Sequence, residues 1–171
     1  ANAFLRLQQL DQAEAACKAS GELFSSLAMS NREDEGIAID HARSTAQFAS
    51  LLSNMPAKRD QAAMMLSVAV ELFSEAISSK QTISVSNPQP DKSAMTALSA
   101  KDSFRLASPQ LRNELATMRG NLALTLMRKS QFEQAAIQYR TAIEDQIEVV
   151  GEYPALSLSQ LTLSRLYSGL A

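Results

Sequence analysis

The chain has 171 residues, 46 % of them hydrophobic and 20 % charged, with 16 basic residues against 18 acidic ones. A chain of this length buries about 70 % of its unfolded surface in one domain. It lacks the basic stripe with which proteins grip phosphate backbones, so nucleic acid is disfavoured as a partner.

Five Gly, five Pro and no Trp, in a chain rich in Ala, Leu, Gln and Glu, favour helix over sheet. The single cysteine, Cys17, excludes an internal disulfide and supplies no zinc pattern. Beside Ala13, Ala16 and Ser20 it reads as a small buried hydrophobe. The longest wholly apolar run, Ala62 to Leu66, is far shorter than the ~20 residues that span a bilayer. With neither a secretory signal nor a lipidation motif, the sequence points to an intracellular protein, cytoplasmic or organellar, not a secreted or membrane-inserted one. The first residue is Ala instead of Met, which reads as a fragment, a processed product or part of a subunit.

In chain order, the periodicity predicts helices over 3–9 and 11–29, 32–53 and 57–79, 109–129 and 131–150, and finally 154–169. The first six form three hairpins. Ser30-Asn31-Arg32-Glu33 and Ser130-Gln131-Phe132-Glu133 read as capping boxes, with Ser as N-cap and Glu three residues on. Pro56, Pro109 and Pro154 stand where helices should begin, a position at which the missing N–H costs nothing. Gly151 fits the C-terminal end of its helix. Between the second and third hairpins, residues 80–107 form an insert. Its Pro88 and Pro90 exclude helix locally, while Ala94, Met95 and Leu98 suit a short helix over 93–106. The insert is either a functional loop or a plain connection.

A repeat underlies these helices. Asp11-Gln12-Ala13, Asp60-Gln61-Ala62 and Glu133-Gln134-Ala135 match one another. Each Ala is followed at four and seven residues by Cys17 and Ser20, Leu66 and Ala69, or Tyr139 and Ala142, all on one helical face. Upstream, Phe48-Ala49 precedes Leu52, Leu122-Ala123 precedes Leu126, and Leu163-Ser164 precedes Tyr167. A large residue, a small one and another large one set a knob beside a notch, which lets antiparallel helices approach closely. Met64 and Met65 fall in an apolar helix and are expected in the core.

The stretch from Asn121 to Ala142 resembles a tetratricopeptide repeat. Leu122, Ala123, Leu126, Phe132, Ala135, Tyr139 and Ala142 occupy that family's large and small positions without a gap. Gly151-Glu152-Tyr153-Pro154, followed by Leu163 to Tyr167, is similar to the longer repeat of kinesin light chains. The resemblance implies an all-α superhelix of about seven helices, with room for a short one in the insert. It forms one domain over 1–171, with repeats at 1–29, 32–79 and 109–150 and a half repeat at 154–169. It also implies a concave groove lined by first helices, where a partner's peptide or helix is held. Asn121 matches a family asparagine that pairs with peptide backbone, and Gln47 stands at the equivalent place in the second unit. Arg43, Arg128 and Arg165 lie on the same helices and would attract acidic partners. The array departs from the commonest form in its spacing, 49 and 73 residues between matching alanines, and in having Ile147 where the family has Pro.

Catalysis finds little support. His41 is the sole histidine. Neighbouring helix residues point about 100° apart, so Asp40 cannot orient His41 as a triad with Ser44 requires. Glu33-Asp34-Glu35 lacks the ligand spacing of a calcium loop, and the isolated glycines make no phosphate cradle. The sequence therefore predicts a non-catalytic adaptor or scaffold without metal or cofactor. The alternative is a structural subunit of a large multiprotein assembly, organellar assemblies included.

Overall fold

Alanine marks the points where helices meet in this chain. In a computed structural model that describes residues 2–30, 35–84 and 107–171, six α-helices form, and no strand forms among the described residues. They are α1 (Asn2–Ser30), α2 (Glu35–Leu52), α3 (Arg59–Ser84), α4 (Pro109–Arg128), α5 (Phe132–Glu152) and α6 (Ser157–Leu170), with a 3-10 turn at Pro56–Lys58 before α3. The closest-packed pairs are α2 with α3 and α4 with α5. Then α3 packs on α4, α6 rests on both α5 and α4, and α1 lies on α2.

Both hairpins are built on small residues. Ala62 is fully buried against Phe48 and Leu52, and Ala135, Tyr139 and Ala142 share a core with Leu122, Ala123 and Leu126. Alanine at such contacts lets two backbones approach, and the large residues between them fill the remaining space to interior density. Leu66, Ala69, Phe73 and Ile77 extend the same core along α3.

Several expectations are corrected. The first hairpin does not form, because α1 is one helix of 29 residues through position 10, where neither Gly nor Pro breaks it. Ala13 is consequently only half-buried, against the Phe48, Leu52 and Ala62 cluster. Ser30 closes α1 instead of capping α2, its hydroxyl donating to the Ser26 carbonyl at 3.0 Å. The rest of that expected box, residues 31–34, lies outside the described residues, as do the Cys17 side chain and residues 85–106 of the insert. The insert itself starts later than expected, since α3 runs to Ser84.

At the α4–α5 turn Ser130 is again no N-cap. Its φ is 61°, its N–H donates to the Met127 carbonyl, and the Gln131 N–H donates to the Leu126 carbonyl. These two bonds form a Schellman motif that closes α4, with serine in the left-handed position that glycine usually takes. Pro109 behaves as expected: Ser108 caps α4, accepting from the Leu111 N–H at 3.3 Å. Pro154 does not start a helix. The Leu156 N–H donates to the Tyr153 carbonyl, placing Pro154 second in a tight turn, and α6 begins three residues after it. Gly151 lies inside α5 and has no positive φ, so it is not a left-handed cap.

The sequence also misjudged the buried face of α6. Leu163 is half-buried and Tyr167 is 50 % exposed, while Ser159, Thr162 and Leu166 are buried. The cause is close packing by two glycines. A Cβ on Gly120 would meet Leu166 at 2.8 Å, and one on Gly169 would collide with the Tyr139 ring and hydroxyl. Met65 packs on the core as expected, but Met64 is 71 % exposed.

Replacing Ala135 with Leu should overpack the α4–α5 contact and lower stability by about 1–3 kcal/mol, read from urea unfolding. Ser130→Gly should act in the opposite direction. Relief of the left-handed penalty exceeds the added chain entropy, so the same measurement should show a gain of about 0.5–1 kcal/mol.

Candidate functional site

On α2, positions 43, 46, 47, 50 and 51 fall on one face, and on α4 so do 114, 117, 118 and 121. These two faces enclose an open pocket of about 630 Å³. Ala46, Leu51 and Met118 give it apolar walls, and Gln47, Ser50, Thr117 and Asn121 supply neutral polar groups. Arg43 and Glu114 are the charged residues in its lining.

Side chains hold the two walls together in a regular way. Arg43 donates from Nε and Nη2 to Glu114 Oε2 and Oε1 at 2.7 and 3.1 Å, a two-pronged contact between residues 71 apart. Asn121 Nδ2 donates to Ser50 Oγ at 3.3 Å, again 71 apart. Arg128 Nη1 donates to the Ser53 carbonyl at 3.3 Å and to Asn54 Oδ1 at 3.1 Å. Since Glu114, Asn121 and Arg128 are spaced by seven, one stripe of α4 carries all three links. Their order along both helices shows that α2 and α4 run parallel.

Of the five residues picked from sequence as partner-binding, Arg43, Gln47 and Asn121 thus line one pocket. Arg43 is engaged on three sides, because Nη1 also donates to Asp40 Oδ1 at 3.0 Å, and its pKa is raised above the ordinary arginine value chiefly by the Glu114 contact. Arg128 links α4 to the end of α2 and does not line the pocket. Arg165 is exposed on α6, away from the pocket lining. The neighbouring basic pairs also fasten helices. Lys129 pairs with Asp60 at 2.7 Å, Arg59 donates to the Arg128 carbonyl, and Lys58 donates to Glu14 of α1. Hydrogen bonds from Lys58 and then Gln61 hold the Glu14 carboxyl below its ordinary range.

Glu114 and Leu51 by themselves carry no pocket signal in the sequence, whereas Met118 is among the methionines that sequence leaves open to a groove. The seven-residue spacing of Glu114, Asn121 and Arg128 was the available signal. A second hollow, about 350 Å³, lies between α3 and α5 and includes Met64, Ile137, Gln134 and Gln138.

Elsewhere, several polar groups tie helices together. Arg112 is fully buried and pairs with Glu152 at 2.6 Å and Glu148 at 3.6 Å. Gln146, also fully buried, donates to Asn113 Oδ1 and to the Ser159 carbonyl, tying α4, α5 and α6 together. Arg119 pairs with Asp145, whose carboxyl burial holds above its ordinary range in spite of that cation. His41 stacks on Phe24 of α1, with ring centroids 5.4 Å apart and planes 14° from parallel. Asp40 serves Arg43, and the Ser44 hydroxyl donates to the His41 carbonyl, so the three residues make no triad. Among the described residues no cluster of three metal-ligating side chains occurs, and no helix is long and apolar enough to cross a membrane.

No family model, no curated protein and no solved structure matches this chain.

Burial against α1 holds the His41 imidazole below its ordinary value near 6.5. The folded state therefore favours the neutral ring. That contribution is complete above pH 6.5 and is lost as pH falls through the lowered folded value. The melting temperature should drop across this window in the native chain and drop less in His41→Phe, which keeps the stack without a titrating ring.

Proposed function

We propose that this chain is a helical-repeat module of the tetratricopeptide kind that holds a peptide or helix of a partner protein between α2 and α4. One observation carries the reading. The first helices of two successive hairpins form the walls of one open pocket, and the side-chain amides Gln47 and Asn121 lie in that lining beside apolar Leu51 and Met118. Apolar walls with a few placed polar groups suit a ligand that buries side chains while its backbone keeps hydrogen-bond partners. Asn121 makes one side-chain bond among the described residues, to Ser50. An amide carries two donors and an acceptor, so capacity remains for a peptide backbone. On this reading the hairpins and α1 belong to one repeat domain.

A second reading, a permanent subunit of a larger assembly, is favoured by apolar side chains left outside. Leu158, Leu161 and Tyr167 on α6 and Phe132 and Ile137 on α5 are 47–62 % exposed. Permanent subunits cover such surfaces with neighbours. A monodisperse, stable monomer in analytical ultracentrifugation would count against it.

The groove reading is tested by filling the pocket from exposed positions. A photo-crosslinker at Gln47 in native extract identifies the bound segment. Gln47→Trp and Thr117→Trp should then leave the circular dichroism melt unchanged and weaken affinity for that segment by at least about tenfold, 1.4 kcal/mol. Unchanged affinity in both variants would remove the assignment.

A further inference from the structure

We propose that the segment received by the α2–α4 pocket carries a lysine or arginine beside an apolar anchor, its cation meeting the cluster of Asp40, Arg43 and Glu114. This inference rests on the groove reading and names the chemistry of the partner.

Arg43 has five N–H donors, and three of them are already directed at carboxylate oxygens of Glu114 and Asp40. Asp40 lies just outside the lining, but its bond to Arg43 Nη1 places it at this end, so among the described residues two carboxylates surround one guanidinium here and leave net negative charge. The other polar lining groups, Gln47, Ser50, Thr117 and Asn121, are neutral. Arg128 does not offset that balance, because it stands fourteen residues beyond Glu114 on α4, about 21 Å away at 1.5 Å per residue and past the Debye length, and is directed at Ser53 and Asn54. Nor do the helix N-termini, because Asp40 and Glu114 are the sixth residues of α2 and α4, and the dipole fades within the first turn.

The carboxylates are accessible. Asp40 is 62 % and Glu114 36 % exposed at the side chain, and a carboxylate has about four acceptor sites. An incoming ammonium or guanidinium adds donors where acceptors remain, whereas an acidic segment meets like charge. Arg43 therefore does not recruit acidic partners: its charge is already matched. Beside the cluster, Ala46, Leu51 and Met118 offer the apolar seat for the anchor, and the thioether adapts to the shape that enters.

The test uses the full chain and two short fluorescein-labelled peptides that share a central pair of leucines and differ only in flanking lysines or flanking glutamates. Fluorescence anisotropy at low salt should show the lysine peptide bound about fivefold more tightly, the range expected of exposed ion pairs, with the margin shrinking as salt rises. Asp40→Lys, at an exposed position, should reverse the preference. Gln47→Trp should abolish binding of the lysine peptide. Equal affinity for both peptides, with both lost in Gln47→Trp, would overturn the charge assignment and leave the groove reading standing. Lysine-peptide binding that survives Gln47→Trp, or no measurable binding of either peptide to the folded chain, would overturn both.

Discussion

Close backbone approach at alanine is the constraint from which the rest of this structure follows. Where α2 meets α3 and α4 meets α5, fully buried alanines allow the helices to pack tightly. The two hairpins then sit against each other mainly through α3 and α4. That leaves α2 beside α4 without a tight apolar contact, and the space between them is crossed by Arg43, Glu114, Asn121 and Arg128. Long polar side chains hold helices apart as well as together. The pocket exists because small residues are placed in the hairpins and large polar ones between the first helices.

A second constraint fixes the C-terminal helix. Gln146 donates from one nitrogen to Asn113 on α4 and to the Ser159 carbonyl on α6, all three groups being buried. Such a bond network adds little net stability, but any other placement of α6 would leave buried polar groups without partners, at a cost of about 1–3 kcal/mol each. Gly120 and Gly169 add a steric condition by admitting Leu166 and Tyr139. Arg112 is similar in kind. Burying its guanidinium is tolerable because Glu148 and Glu152 meet it, and removing either carboxylate would be more costly than the pair is worth.

How much of this was legible in sequence depended on which physical signal was local. The small and large residues at 122, 123, 126, 135, 139 and 142 placed the α4–α5 hairpin correctly, since helical spacing alone puts them on facing sides. Pro109 marked a true helix start. The serine boxes misled because a serine can close the helix before it as readily as open the one after, and Ser130 does the former. The matching motif at Asp11 suggested a hairpin that α1 does not form, for repetition of a face carries no turn signal. The α6 face was misread because its orientation is set by Gly120 and Gln146 in other helices. Asn121 and Gln47 were picked on family likeness and Arg43 for its charge on the same helix, but the engagement of Arg43 depends on Glu114, 71 residues away.

The links between α2 and α4 follow the same order along both helices, so the two walls of the pocket run in one direction. A chain segment laid along them would meet carboxylates on both sides first, amides on both sides next, and the Arg128 guanidinium of α4 beyond the far edge. Turned end for end, the same segment meets that series inverted. The surface therefore has a built-in sense, by which a bound segment would be told from its reverse through geometry that no single residue supplies.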